Sequence, residues 1–233
     1  MTVNTAIVLA GGPGNRLQPL TKNIPKPLIE VCGKPLLQWI IEWLEANEVC
    51  NVVIGVAYMK EKIMKYFGNG SKLGLNISYS VHSVEGGTGE GFSLAIDRFV
   101  DEDVFFAMNG DQITDLNLSK LAASHLKHNP VATVVVTSPH CPFGVLEIDG
   151  ELKVKGFSEK PRCPSVFCST GIYAFNRRIM SYLPKSGDIE KTAFPTLSKI
   201  GSLEAYPHNG FFVTINTAKD LTMTEEELGR REK

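Results

Sequence analysis

The chain has 233 residues, 43% of them hydrophobic, and a chain of that size buries roughly 70% of its unfolded surface without needing disulfides or a structural metal. Its 24 Lys and Arg against 25 Asp and Glu give a formal net charge of −1, which excludes a charged disordered tail and leaves no global field to draw in a nucleic acid. No apolar stretch reaches the roughly 18 residues of a membrane span, and the apolar run at 5–10 is too short, with no basic lead-in, for a signal peptide. A cytoplasmic protein without membrane or nucleic-acid partners is expected. The five cysteines are odd in number and form no C-x-x-C pair, so they are expected as reduced thiols. The five histidines form no H-E-x-x-H, so no transition-metal site is expected.

In chain order, residues 6–9 read as a strand closed by Gly11 and Gly12, followed by a polar loop to about Ile24 whose length points to function. Pro35 is placed to open a helix with Leu37, Ile40, Ile41 and Leu44 on one side. Leu36, Trp39 and Trp43 widen its apolar surface, so both faces are expected to be covered. Residues 51–56 read as a second strand, 61–67 as a helix and 77–81 as a third strand. Gly86, Gly87, Gly89 and Gly91 stand immediately before a helical stretch that runs through Phe99. Residues 104–108 form a buried strand ending in Asn109-Gly110-Asp111, then a helix over about 117–128 and a strand at 131–137.

From Gly144 to about Phe175, short alternating runs and the turn signal Asp149-Gly150 predict a small antiparallel extension. A strand near 211–215 follows, and Thr217-x-x-Asp220 predicts a capping box for a terminal helix. The charged end of that helix, 225–233, reads as a solvated face. Alternating strands and helices favour a mostly parallel sheet covered on both sides, and no repeat or linker divides the chain. Residues 1–233 are therefore expected to form a single α/β domain.

Gly11-Gly-Pro-Gly-Asn-Arg16 directly follows the first strand, where an open α/β sheet binds ligands. Glycines there let backbone N–H groups approach phosphate oxygens, and Arg16 can add a charge-assisted contact. The spacing fits neither G-x-G-x-x-G nor G-x-x-x-x-G-K-[ST], so an ordinary turn competes with a phosphate loop. Lys22, Lys26 and Lys34 lie downstream. Pro25 and Pro27 restrict the backbone around Lys26, which is either a phosphate ligand or an exposed lysine in a rigid turn. Asp111 ends an apolar strand in a position suited to Mg²⁺, which takes few protein oxygens. The competing role is a cap on the next segment, for which Asp115 is the better candidate. Glu159-Lys160 reads as an anion- and hydroxyl-binding pair or as a commonplace exposed dipeptide.

Together these motifs carry a resemblance. Ala10-Gly-Gly-Pro-Gly-Asn-Arg-Leu-Gln-Pro-Leu-Thr21, Pro25-Lys-Pro-Leu28 and Gly33-Lys-Pro-Leu36 resemble the opening signature of the sugar-1-phosphate nucleotidyltransferases. Gly87-Thr-Gly89, Asn109-Gly-Asp111, Phe143-Gly144, Phe157-Ser-Glu-Lys-Pro161 and Ser169-Thr-Gly-Ile-Tyr173 follow in that family's order. The resemblance implies a Rossmann-like three-layer α/β/α sandwich with a mixed, mostly parallel sheet and a small β extension. It implies transfer of a nucleotidyl group from an NTP to a sugar 1-phosphate with release of pyrophosphate. Among members it is most similar to the short mannose-1-phosphate and heptose-1-phosphate guanylyltransferases. Thymidylyl or uridylyl transfer to glucose 1-phosphate stays open.

By that resemblance, Ala10, Gly11, Gly12, Gly14 and Asn15 hold the nucleotide, with Arg16 on the departing pyrophosphate and Lys26 on the reacting phosphates. Asp111 ligates Mg²⁺. Gly87, Thr88 and Gly89 fall where the family reads the base, and Gly144, Glu159, Lys160, Thr170 and Gly171 where it holds the sugar phosphate. Glu90 would accept hydrogen bonds from a guanine, or is simply a first-turn glutamate favoured by the helix dipole. Asn15 departs from the family's usual Thr. Thr214 stands where an aspartate normally supplies a second carboxylate to the metal, which opens the alternative of a non-catalytic NDP-sugar-binding regulatory paralogue. Relatives often self-associate, so a homo-oligomer is compatible with the resemblance. No hexapeptide period marks the C-terminal β-helix that some relatives carry.

Overall fold

A computed structural model of the chain describes residues 3–231. Its elements are β1 (Thr5–Leu9), β2 (Glu30–Val31), β3 (Lys34–Pro35), α1 (Leu36–Ala46), β4 (Asn51–Val56), α2 (Lys60–Phe67), β5 (Asn76–Val81) and α3 (Gly87–Phe99). There follow β6 (Val104–Asn109), β7 (Gln112–Thr114), α4 (Leu118–His128), β8 (Ala132–Thr137), β9 (Val145–Ile148), β10 (Val154–Ser158) and β11 (Cys168–Asn176). The last elements are α5 (Ala193–Lys199), β12 (Leu203–Pro207), β13 (Phe212–Thr214) and α6 (Ala218–Arg231).

The central sheet has seven strands in the order β12-β8-β11-β6-β1-β4-β5, and only β11 runs antiparallel to its neighbours. Side chains alternate across it, as a pleated strand requires. Ala6 and Val8 of β1 face a core shared with Leu37, Ile40, Ile41 and Leu44 of α1, Ile63 of α2 and Leu121 of α4. Ile7 faces the opposite core, with Phe92 and Ile96 of α3 and Phe194 and Leu197 of α5. The result is the expected α/β/α sandwich. A third cluster gathers Leu17, Ile29, Val31, Leu36, Ile113, Ile215 and Leu228 beside the sheet. It ties the loop after β1 to the terminal helix.

Several expectations need correction. Pro35 lies just outside α1, in extended backbone at its N-cap. The residues from Gly144 to Phe175 do not form one extension: β9 and β10 make a two-stranded hairpin, while β11 enters the central sheet between β8 and β6. Its Ile172, Tyr173, Ala174 and Phe175 are buried, as a strand covered on both faces demands. Gly87, Gly89 and Gly91 lie inside α3. A Cβ on Gly89 would come within 2.4 Å of Pro184 and 2.8 Å of the Gly187 carbonyl oxygen, so close packing explains a glycine that helix propensity disfavours.

The predicted capping box is present. The Asp220 carboxylate accepts from the Thr217 N–H at 2.8 Å, and the Asp220 N–H donates to the Thr217 hydroxyl at 3.2 Å. The end of α6 is solvated on one side, where Glu226, Gly229 and Arg230 are exposed, and packed on the other. Leu228 is buried, Glu225 accepts from the Cys32 N–H, and the Arg231 guanidinium lies 4.2 Å from the Phe211 ring centre. Residues 232 and 233 lie outside the described residues. Among the described residues no helix is long and apolar enough to cross a membrane.

His125 on α4 is fully buried, its Nδ1 lies 2.8 Å from the Thr133 hydroxyl, and its Nε2 finds no partner among the described residues. Burial pushes the imidazole down to about 4, with Glu204 opposing the shift and Arg178 adding to it. The unfolded chain, near the ordinary value of about 6.5, therefore binds this proton first. Stability from this group is complete above about pH 6.5 and is lost as pH falls toward 4, by up to about 3 kcal/mol. Denaturant melts at pH 7 and 4.5 should show a smaller acid-induced loss for His125→Gln than for the parent chain. Equal losses would contradict the assignment.

Candidate active site

β1 sits between β4 and β6, so the chain first winds one way to β4 and β5 and then crosses back to β6 on the far side of β1. At such a reversal the loops leaving the carboxyl ends of the strands part and open a crevice. The glycine loop leaves β1 there, and Asn109-Gly110-Asp111 closes β6 beside it. Together they line a cavity of about 400 Å³, within the range of small-ligand pockets.

The loop is built from both sequence and core. Gly14 has φ +66°, and a Cβ there would come within 2.9 Å of Thr21 and 3.0 Å of Lys26. A side chain at this position would be strained and crowded, so glycine brings the backbone close to Lys26. The Thr21 hydroxyl donates to the Gly14 carbonyl at 3.0 Å. Leu17 is buried in the third cluster, which anchors the loop while Arg16 stays exposed and lines the cavity.

Three of the predicted residues converge. Lys26 Nζ donates to Asp111 Oδ2 at 2.7 Å, and both side chains are largely shielded from solvent, at 13% and 26% exposure. Lys26 Nζ also donates to Asn216 Oδ1 at 3.0 Å, and Arg16 Nη2 donates to the same oxygen at 2.8 Å. Ala10, Gly11, Gly12, Gly14 and Asn15 line the cavity with them, as do Gly87 and Thr88 at the start of α3. Thr88 is tied to the segment before α5: its hydroxyl accepts from the Ile189 N–H at 2.9 Å and donates to Glu190 at 3.2 Å.

The remaining candidates lie elsewhere. Gly89 is packed against Pro184 outside the cavity lining. Glu90 accepts from the Ser83 hydroxyl at 2.6 Å at the start of α3, which matches the first-turn reading. Gly144 precedes the exposed β9–β10 hairpin, and Glu159 and Lys160, 3.4 Å apart, follow it outside the cavity lining. Thr170 and Gly171 form the irregularity of β11, where the Thr170 hydroxyl donates to the Val135 carbonyl at 2.9 Å. Lys34 turns to Glu42 and to the Trp39 ring, away from the cavity. Asp115 does not cap α4; Asn117 does, accepting from the Lys120 N–H, while Asp115 holds the Phe211 N–H at 2.8 Å. Four lining residues with polar side chains lie outside the predicted site residues: His82, Asn109, Asp188 and Asn216.

For a divalent ion the site offers hard oxygens. Among the described residues no group of three or more His, Cys, Asp or Glu is arranged to hold a metal. Asp111, a partly exposed carboxylate in an open cavity that Asp188 also lines, suits an ion that takes most of its ligands from substrate phosphates and water, so the residues fit such a metal.

A glycine loop, two cations and the Asp111 carboxylate at the switch point of a three-layer sheet offer the chemistry that phosphoryl-bearing ligands need. The sequence profile of the nucleotidyl transferase family matches residues 5–205, and the chain belongs to that family. Members of this family generally use a divalent metal. Over 226 residues the chain is 34% identical to the mannose-1-phosphate guanylyltransferase catalytic subunit beta of Xenopus tropicalis, covering 93% of this chain and 62% of that one. Over 225 residues it is 34% identical to the mannose-1-phosphate guanyltransferase of Yarrowia lipolytica, covering 92% and 61%. The chain thus spans less than two thirds of the length of these relatives. HddC from Yersinia pseudotuberculosis matches its fold with a TM-score of 0.76 at 22% identity, over 97% of this chain and 100% of that chain.

Proposed function

We propose that residues 1–233 act as one cytoplasmic nucleotidyltransferase unit that joins GTP and mannose 1-phosphate, yielding GDP-mannose and pyrophosphate. The observation that carries the reading is the convergence of Arg16, Lys26 and Asp111 beside the glycine loop. The names of the two relatives favour the substrate pair.

In the step itself, a phosphate oxygen of the sugar 1-phosphate bonds to the α-phosphorus. The bond from that phosphorus to the α–β bridging oxygen breaks, and its electron pair leaves with pyrophosphate. No enzyme nucleophile is required, so positioned charge does the work. The loop amides and Arg16 hold the triphosphate, and Lys26 meets the reacting phosphates. Asp111, with those phosphates, would hold Mg²⁺, which neutralises charge on them. The sugar-side role of Gly144, Glu159, Lys160, Thr170 and Gly171 rests on motif likeness.

Product analysis by mass spectrometry tests the reading, with GTP, dTTP and UTP crossed against mannose, glucose and heptose 1-phosphates. GDP-mannose should dominate. Preferred formation of dTDP-glucose or UDP-glucose would overturn the guanylyl assignment, and preferred GDP-heptose would overturn the sugar.

Thr214 supports a second reading, a chain that binds an NDP-sugar without turnover, because a hydroxyl replaces the expected carboxylate. Its Oγ1 accepts from Asn216 Nδ2 at 2.9 Å, so an aspartate could keep that bond while adding charge near Asp111. Thr214→Asp should lower the Mg²⁺ concentration for half-maximal rate by about tenfold, equivalent to about 1.4 kcal/mol. An unchanged Mg²⁺ titration would contradict the placement of Thr214.

A further inference from the structure

We infer that Asn216 is a positioning residue that holds Arg16 and Lys26 convergent as a receptor for a pyrophosphate moiety. The inference deepens the proposed function and rests on it for the identity of the ligand.

Arg16 and Lys26 reach the cavity from different parts of the loop after β1, and two like charges left alone would move apart. A single amide oxygen gathers them, accepting from Arg16 Nη2 at 2.8 Å and Lys26 Nζ at 3.0 Å. The amide is itself fixed. Its Nδ2 donates to the Thr214 hydroxyl at 2.9 Å, and the Asn216 backbone N–H donates to Asp220 at 3.0 Å, within the capping box of α6. The terminal helix thereby sets the position of two cations about 200 residues away in sequence.

The choice of an amide has a chemical consequence. A neutral oxygen organises the two cations without cancelling their charge, whereas a carboxylate would form ion pairs that an incoming phosphate must break. The bonds to Asn216 leave donors over: an arginine has five and a lysine three. Arg16 commits one to Asn216, and Lys26 commits two, to Asp111 and Asn216. Phosphate oxygens can therefore be added without dismantling the arrangement. Prepaid convergence of this kind appears as affinity for the charged part of the ligand.

The test is equilibrium binding without divalent metal, which removes any effect of a new carboxylate on metal affinity. The parent chain, Asn216→Ala and Asn216→Asp are titrated with GTP, inorganic pyrophosphate and guanosine. Asn216→Ala should weaken GTP and pyrophosphate about tenfold and leave guanosine unchanged. Asn216→Asp, of the same shape, should weaken the two phosphate ligands at least as much, and KM for GTP should rise more than kcat falls. A merely structural role would weaken guanosine in parallel and would spare Asn216→Asp. Either of those results, or unchanged pyrophosphate affinity in both variants, overturns the inference. A parent chain that binds GTP but turns over no sugar 1-phosphate overturns the proposed function alone. One that binds neither GTP nor pyrophosphate overturns both.

Discussion

Asp111→Asn is expected to lower kcat by about 10³-fold, the upper end of what one positioned electrostatic group contributes, with little change in thermal stability. Among the described residues Asp111 is the one carboxylate paired with Lys26, at 2.7 Å, and it stands just past the end of β6 where the cavity opens. The amide keeps its size but removes the charge that orients Lys26 and that would hold a divalent ion against the phosphates. Because Asp111 is partly exposed and contributes to no core cluster, the fold should survive the change. Pyrophosphate release at saturating substrates, alongside a thermal melt, measures both effects. A loss smaller than tenfold would remove Asp111 from the chemistry.

Phe175→Ala should destabilise the chain by about 3–5 kcal/mol, the usual cost of deleting a buried aromatic ring from a packed core. Phe175 is fully buried on β11. Its ring stacks on Tyr173 at 5.2 Å between centres and meets Phe92, Phe105 and Phe194 edge-on at 5.8, 6.1 and 6.4 Å. Truncation leaves a void facing both α3 and α5 that those four neighbours are too constrained to fill. Urea denaturation measures it, and a loss under 1 kcal/mol would mean that β11 does not hold the position described.

β11 also shows where sequence reasoning stopped. The composition of 172–175 announces a buried strand, but local alternation does not say with which strands it pairs. Its insertion between β8 and β6 is a long-range event, so the nearby turn at Asp149-Gly150 drew it into a local extension. The parallel half of the sheet was easier to read, because each strand is an apolar run followed by an amphipathic helix. α5 and β12 lacked such a signal: Pro195 interrupts one, and Glu204 and Pro207 punctuate the other.

The site divides the same way. Arg16, Lys26 and Asp111 sit in motifs whose backbone character is visible locally: glycines after a strand, prolines around a lysine and a carboxylate at a strand end. Asn216 is visible only as an asparagine two residues past Thr214. Its contact with Arg16 and Lys26 depends on where α6 docks, and α6 docks through Leu221 and Leu228, with Ile215 just ahead of it, in a cluster assembled from both ends of the chain. The hairpin motif around Glu159 and Lys160 was legible as a motif, yet its place relative to the cavity was not.

The central claim is that this cavity couples a nucleoside triphosphate to a sugar 1-phosphate. Pyrophosphate release from GTP in Mg²⁺, measured with and without mannose 1-phosphate, tests it most directly. The account predicts release that requires both substrates, equals the GDP-mannose formed and disappears in Asp111→Asn. Binding of GDP-mannose by a chain that releases no pyrophosphate under any of these conditions would contradict it.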